Sequence, residues 1–340
     1  MSPDPAGRPA HADTDRDGPP DTATRHFTGH RELLFSVVYT LLGSVADTED
    51  VLQETWLSWS GRNRRTPAPE IANPRAYLVR IAVNHALARR AALADRRETY
   101  VGPWLPEPLV AGSDDDVLRS ETVSLAMLVV LETLTPLERA VFVLHEVFGC
   151  PHTEIAGMLD RSPASVRQLA HRARAHVQAR RPRYRAHPRV RREATERFVS
   201  AALGGDLQAL MEILAPDVTV WIDGGGARQA AGLRPVQGRD KAARMLAGYG
   251  TRRTGDLDVH YRRVNGDDAA VLFTGDSPYA VMVMDLTPDG DRVRGVYVVT
   301  NPDKLGRVRP DEDRFSSVRC SPAAAGRPRS APRRPWRPRT

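Results

Sequence analysis

Lysine is nearly missing from this 340-residue chain: Lys241 and Lys304 are the only two, so arginine makes up almost all of its 49 basic residues. A guanidinium excess favours forked contacts with phosphates and guanine edges. Cysteine is equally scarce. Cys150 and Cys320 lie far apart and near no His/Cys spacing of a zinc site, which argues against a disulfide scaffold or a structural metal and points to the reducing cytoplasm. Long apolar runs are absent too. The longest, Leu125 to Leu131, falls far short of the roughly 20 residues that cross a bilayer, and the opening MSPDPAGRPAHADTDRDGPPD lacks the apolar segment of a signal peptide, so no membrane association is expected. What remains is a chain of formal charge +7, a balance that suits an anionic partner such as nucleic acid.

Residues 1–25, with five Asp and several Pro and Gly, read as a disordered acidic tail. A second tail is expected over 306–340; from Arg319 to Thr340 it holds seven Arg, five Pro and no acid. Between the tails the first half reads as helical. Leu33, Leu34, Val37, Val38, Leu41 and Leu42 recur near the 3.6-residue period, and after Gly43-Ser44 a helix capped by Asp47 carries Val51, Leu52, Thr55, Trp56 and Trp59. Asn73-Pro74 supplies a cap and a first-turn proline for a third helix, with Leu78, Ile81, Ala82 and His85 toward its core. The stretch Tyr100 to Ser113 is punctuated by Pro and Gly and reads as a linker. Helical pattern resumes from Val117 to Leu134, and Thr135-Pro136-Leu137-Glu138 forms a capping box that opens a helix with Val141, Leu144 and Phe148 inward.

A short helix, Thr153 to Leu159, and a longer one from Ser162-Pro163 to Gln178 flank the turn Asp160-Arg161 and read as a helix-turn-helix. Val166, Leu169, Ala170, Ala173 and Val177 form the buried stripe of the second helix. That leaves Ser165, Arg167, Gln168, His171, Arg172 and Arg174 for solvent or a DNA groove. Eleven Arg and no acid between residues 161 and 192 make a phosphate-tracking stripe. Upstream, Asp47, Glu49, Asp50, Gln53 and Glu54 give one helix an acidic outer face, whereas the next exposes Arg75, Arg80, Asn84, Arg89 and Arg90, with Arg96 and Arg97 beyond it. The second half changes character. Helices over 191–203 and 206–214 precede the strands VTVWID, LDVHYRRV, AAVLFT, YAVMVMDLT and VRGVYVV, read as an antiparallel meander in an α+β domain. Catalytic templates fail: His145-Glu146 lacks the second His of a zinc protease helix, no P-loop is present, and Gly224 to Gly226 is no dinucleotide fingerprint. No cofactor, metal or catalytic residue is therefore assigned.

The segments ADTEDVLQETWLSW, NPRAYLVRIAVNHAL and LTPLERAVFVLHEVFGCPHTEIAGMLDRSPASVRQLAHRARAHV resemble regions 2 and 4 of bacterial extracytoplasmic-function (ECF) RNA polymerase sigma factors, over Phe27 to Gln178 with no region 3. Three further motifs are Trp104-Leu105-Pro106-Glu107-Pro108, Asp223-Gly224-Gly225-Gly226 and Asn301-Pro302-Asp303-Lys304-Leu305. They resemble the subfamily with a SnoaL-like, NTF2-like C-terminal extension, although Ala227 stands where that pattern has a basic residue. The resemblance implies a multidomain chain: two all-α sigma domains, region 2 at 26–98 and region 4 at 117–182, joined by a linker at 99–116 and followed by an α+β SnoaL-like cone at 190–305.

It also implies a division of labour. Asp47, Asp50, Gln53 and Glu54 would bind the beta-prime clamp helices of core RNA polymerase, with the beta flap as a further contact. Arg80, Asn84, Arg89 and Arg90 would hold the melted −10 element, and Ser165, Arg167, Gln168, His171, Arg172 and Arg174 would read the −35 groove. The three motifs would serve regulation, the fused domain replacing a separate anti-sigma protein. Two other readings stay open. One makes the cone an enzyme or the sensor of an unidentified small ligand, with Asp223, His260, Tyr261, Tyr279 and Asp285 as pocket candidates. The other is an ordinary helix-turn-helix repressor.

Overall fold

The computed structural model describes residues 22–63, 71–111, 123–180, 187–226, 234–252, 255–310 and 317–320. Of the tails expected over 1–25 and 306–340, residues 1–21, 311–316 and 321–340 lie outside the described residues, as do 112–116 of the linker, the helical pattern of 117–122 and Ala227. Helix α1 (Thr22–Leu42) starts within the stretch read as a tail. Its first turn is fixed because Ala23 and Phe27 are buried and Trp59 Nε1 donates to the Ala23 carbonyl at 2.8 Å. Gly43, at φ 70°, ends α1 and lets the chain turn into α2 (Val45–Asn63). The cap of α2 is Ser44, whose Oγ accepts from Asp47 N at 3.3 Å, so Asp47 lies inside the first turn rather than at the cap.

Helix α3 (Pro74–Ala92) opens as its local chemistry dictates, with Asn73 Oδ1 accepting from Ala76 N at 3.0 Å. A short α4 (Ala94–Glu98) follows. After the linker come α5 (Leu125–Leu131) and α6 (Pro136–Phe142). Thr135 and Glu138 form the expected capping box of α6, which widens into a π turn over Val143–Val147 and leaves Phe148 half-buried. Helices α7 (His152–Leu159) and α8 (Pro163–Arg180) complete the helical half.

In the second half α9 (Pro188–Gly204) and α10 (Leu207–Ile213) precede β1 (Leu214–Asp223), β2 (Val236–Gln237), α11 (Arg239–Arg252) and the meander β3 (Leu257–Val264), β4 (Asp267–Thr274), β5 (Ser277–Leu286) and β6 (Val293–Val299). Helix α12 (Pro302–Leu305) and β7 (Ser317–Cys320) follow. The sheet order is β2-β1-β6-β5-β4-β3-β7. The sheet is mixed rather than wholly antiparallel: β1 and β6 run parallel, because α11 carries the chain away before the meander brings its last strand back beside the first. Helix α11 is not signalled by the sequence pattern. Its stripe of Ala242, Ala243, Leu246, Ala247 and Gly250 is small-sided and weakly apolar. Smallness is the requirement there, since a Cβ on Gly250 would stand 2.3 Å from the Ala202 carbonyl of α9. Strand β7, paired with β3, lies within the expected C-terminal tail.

Three cores follow. The first fuses the helices of both halves of 22–180, from Leu34 and Leu78 to Val141, Ile155 and Val166. The second packs α9, α10 and α11 against one face of the sheet through Phe198, Leu210, Leu246, Val259 and Val296. The third covers the other face, where Leu105 and Val110 of the linker and Leu125 of α5 meet Val271, Phe273, Val281 and Tyr297. Helix α5 thus sits between two cores, because Leu128 and Leu131 belong to the helical one. Among the described residues no helix is long and apolar enough to cross a membrane, and no cluster of three or more His, Cys, Asp or Glu could hold a metal.

Candidate nucleic-acid interface and interdomain junction

In the helix-turn-helix, α7 ends at Asp160 in the left-handed conformation (φ 53°), and Ser162 Oγ accepts from Ser165 N at 3.2 Å to open α8. Val166, Leu169, Ala170, Ala173 and Val177 are all buried, so the helix is fixed by one face. Arg167, Gln168, His171, Arg172 and Arg174 are exposed on the other; Ser165 is half-buried. Two of these side chains already have intramolecular partners. Arg172 Nε lies 3.2 Å from Glu138, and Arg174 is paired with Glu146.

The upstream pair of helices is cross-linked rather than split into independent faces. Arg89 of α3 donates to Asp47 at 2.9 Å and to Asp50 at 2.9 Å, and His85 Nδ1 lies 3.3 Å from Glu54. Arg80 and Asn84 are exposed on α3, as Gln53 and Glu54 are on α2 beside Leu57. The reading of Arg89 and Arg90 as outward-facing is corrected: both are half-buried, because neighbouring elements cover that flank of α3.

Arg90 belongs to a cluster that the sequence did not reveal. Glu132, just beyond α5, is contacted by Arg90, Arg97 and the wholly buried Arg139. Each arginine also donates to one of the last carbonyls of α1: Arg139 Nε to Thr40 at 3.0 Å, Arg90 to Leu41 at 3.0 Å and Arg97 to Leu42 at 2.7 Å. These carbonyls are the unsatisfied acceptors of a helix C-terminus, where cations are favoured. Burial alone would push the Glu132 carboxyl up, but Arg139, Arg90 and Arg97 together hold it down at about 2; burial pushes Arg139 down to about 10. No local signal in LETLTP marks Glu132, since its partners come from α3, α4 and α6.

The three motifs converge on a second buried carboxylate. Asp223, at the end of β1, accepts from Tyr100 Oη (2.5 Å), Leu105 N (2.8 Å), Lys304 Nζ (2.7 Å) and Gly225 N (3.1 Å). Gly225 must lack a side chain, because a Cβ there would lie 2.4 Å from Asn301 Nδ2. Asn301 donates in turn to Tyr100 Oη at 2.9 Å and caps α12, which carries Lys304. Lys304 also donates to the Leu105 carbonyl at 2.5 Å and stands 4.2 Å from the Trp104 ring, whose face also receives Arg97 at 4.0 Å. Burial lowers the Lys304 pKa against the pull of Asp223, and burial together with the Asp223 bond raises that of Tyr100. Pro302 and Asp303 are exposed on α12; Leu305 is buried beneath it, and Gly224 is buried and Gly226 exposed beside β1.

The linker grips the helical half as well. Glu107 N donates to the Gly43 carbonyl at 2.8 Å, its carbonyl accepts from Tyr39 Oη at 2.6 Å, and its carboxylate accepts from Val45 N at 2.8 Å. Pro106 and Pro108 are buried on either side. Asn265, in the β3–β4 turn, closes the circuit by donating to Tyr39 Oη at 3.0 Å and accepting from Leu109 N at 3.1 Å.

The pocket candidates do not converge. Asp223 is committed to the linker, His260 lies edge-on to Phe273 at 5.0 Å, and Tyr261 and Tyr279 pack on the opposite core; Asp285 is half-buried on β5.

Family models match three parts of the chain: Sigma-70 region 2 at residues 26–96, Sigma-70 region 4 at 124–177 and a SnoaL-like domain at 195–307. The ECF RNA polymerase sigma factor SigJ of Mycobacterium tuberculosis is 38% identical over 295 residues, which cover 82% of this chain and 92% of SigJ. The probable ECF RNA polymerase sigma factor SigI of the same species is 28% identical, covering 85% of this chain and 97% of its own. The crystal structure of SigJ superposes with a TM-score of 0.63 at 35% identity, over 83% of this chain and 98% of that one. Two sigma regions in order, a linker seated on the SnoaL-like sheet and a relative of this identity over most of both chains lead to one conclusion: the chain belongs to the ECF sigma factors that carry a SnoaL-like C-terminal domain.

Proposed function

We propose that the chain acts in the cytoplasm as a promoter-specificity subunit. It binds core RNA polymerase through the outer face of α2, around Asp47, Asp50, Gln53, Glu54 and exposed Leu57, and so meets the clamp helices; region 4 meets the flap. Arg80 and Asn84 of α3 hold the melted −10 strand, and Arg167, Gln168, His171 and Arg172 read the −35 groove. The chain contributes no catalytic residue, because phosphodiester synthesis belongs to the polymerase.

We further infer that the SnoaL-like domain governs this activity from within the chain, in place of a separate anti-sigma protein. The carrying observation is the linker: Asp223, Lys304 and Asn265 hold it from one side while Tyr39, Gly43 and Val45 hold Glu107 from the other. A covalently attached partner acts at high effective concentration, so modest contacts suffice to bias the arrangement of regions 2 and 4.

In vitro transcription with core polymerase over a promoter library tests this, comparing the intact chain, a 1–189 truncation and an intact Lys304→Met chain. Core-dependent transcripts from the intact chain, at levels altered in both variants, are expected. No core-dependent transcript, alongside tight binding to duplex DNA without polymerase, would instead support the repressor reading; equal transcripts from all three would remove the regulatory role.

A further inference from the structure

The names of the two promoter elements set a distance. Twenty-five base pairs separate −35 from −10, about 85 Å at 3.4 Å per pair. In the structure α3 packs against α6 and α7, and one core runs through both regions. This arrangement cannot place α3 and α8 on elements so far apart, so regions 2 and 4 must separate for the activity proposed above.

What separation would uncover is set by Glu132. Its two carboxylate oxygens face different bodies. Oε1 is held by Arg139, which travels with it in region 4. Oε2 is held by Arg90 Nη2 at 3.0 Å and Arg97 Nη1 at 2.5 Å, both from region 2. The other terminal nitrogen of each of these arginines is anchored on an α1 carbonyl, Leu41 for Arg90 and Leu42 for Arg97, and the Arg97 guanidinium rests on the Trp104 ring. The result is a fork of two arginines fixed by main-chain acceptors and aimed at one anionic oxygen. Arg90 and Arg97 are only 11% and 21% exposed while Glu132 fills the fork. When region 4 leaves, Glu132 and Arg139 depart as a neutral pair and the fork keeps two uncompensated positive charges. Guanidinium pairs so placed match a phosphate oxygen.

We propose that Arg90 and Arg97 form a binding site for a backbone phosphate of promoter DNA, and that in the closed chain the Glu132 carboxylate occupies it as an intramolecular phosphate mimic. Closing and promoter binding then compete for one oxygen site. This rests on the sigma-factor reading and assigns a hidden phosphate contact to region 2 and a blocking role to region 4.

The test uses holoenzyme assembled from core polymerase and the full chain, on promoter DNA across a range of salt. Replacing both arginines in R90Q R97Q should lessen the slope of log K against log[salt] by about 1 to 2, the change for one or two lost phosphate contacts. Removing the neutral pair in E132Q R139Q should raise promoter affinity several-fold, because less of the population is held closed. Single methylphosphonate substitutions along the promoter should identify a backbone position that weakens the unsubstituted chain but not R90Q R97Q. Thermal unfolding of each variant establishes that it is folded. The proposal is overturned if R90Q R97Q leaves the slope unchanged, or binds promoter more tightly, as a mere latch between regions would. Core-dependent transcription by the unsubstituted chain is read in the same assay, so failure of the sigma reading is told apart from failure of the site.

Discussion

Glu132 and Asp223 are both carboxylates gathered at a junction between distant segments, yet they are built on opposite electrostatic plans. Asp223 is wholly buried and receives one cation, Lys304, with neutral donors from Tyr100, Leu105 and Gly225 filling its other lone pairs. Charge balances there, and the bonds from Tyr100, Leu105 and Lys304 are all 2.8 Å or shorter. Glu132 is 19% exposed and receives three arginines, so its site carries two positive charges more than it cancels, offset by the carbonyl end of α1. A balanced, sealed junction resists opening, since either partner alone would be a buried unpaired charge. An overcharged one at the rim can divide into a neutral pair and a cationic fork. On the proposal above, region 2 and region 4 part at the Glu132 junction while the linker stays on the SnoaL-like domain.

The largest effect should fall on the sealed junction. Asp223→Asn keeps the shape but strands the Lys304 ammonium, which is 12% exposed beside a wholly buried partner. Loss of one partner of a buried pair costs about 3 kcal/mol, so urea unfolding should shift by that order and the linker amides should lose protection from hydrogen exchange. Glu132→Gln takes the carboxylate from the wholly buried Arg139, so its cost should approach that of Asp223→Asn, but the loss should fall on the packing of region 2 against region 4 and leave the linker amides protected. Loss of protection at the linker amides in Glu132→Gln would break the contrast between the two junctions.

Acid titration sharpens it. The folded Glu132 carboxyl lies at about 2, below its ordinary 4.5. Between those values the unfolded chain binds the proton more readily, so the contribution of Glu132 is present above pH 4.5 and is lost as pH falls toward 2. Contacts between region 2 and region 4, followed by fluorescence transfer between labels on α3 and α8, should loosen across that window. In Glu132→Gln the loosening should no longer follow pH there.

How much of this was legible depended on distance along the chain. Asn73-Pro74, Thr135 to Glu138 and Ser162-Pro163 are local devices whose partners lie within three residues, and each appears where its letters stand. The three motifs around residues 104, 223 and 301 could be recognised by resemblance, but nothing in them announces that they meet on one carboxylate. Helical periodicity separates a buried stripe from the rest of a helix; it does not tell which flank a neighbour covers, which is why the pattern alone places Arg89 and Arg90 outward. Glu132, Arg139 and Tyr39 carried no signal at all, their roles arising only when α1, α3, α4, α6 and the linker are assembled. The parallel pairing of β1 with β6 is hidden for the same reason, because strand letters do not record which strand lies alongside.

A smaller effect is expected at Glu107, which lies between the two junctions. Its carboxylate accepts from the first amide of α2, while burial raises its pKa against that bond. Glu107→Ala removes a hydrogen bond to a charged acceptor at a helix N-terminus and should cost about 2 kcal/mol. Exchange should quicken in the first turn of α2, where Asp47 pairs with Arg89, and Glu107→Gln should recover part of the loss. Unchanged exchange in that turn would detach the linker from α2 and confine its influence to the SnoaL-like domain.

The smallest change provides the discriminating control. Asn73 caps α3, the helix that carries Arg89 and Arg90, yet it touches neither carboxylate junction. Asn73→Ala leaves one helix amide without its side-chain acceptor and should cost about 1 kcal/mol of stability. If the two junctions differ as argued, that loss should lower the urea midpoint while leaving the salt dependence of promoter binding and the pH response of the α3–α8 distance as they are in the unsubstituted chain. Should Asn73→Ala alter the salt slope as much as R90Q R97Q does, the slope would report the stability of α3 rather than occupancy of the arginine fork, and Glu132 would be no more than a structural ion pair.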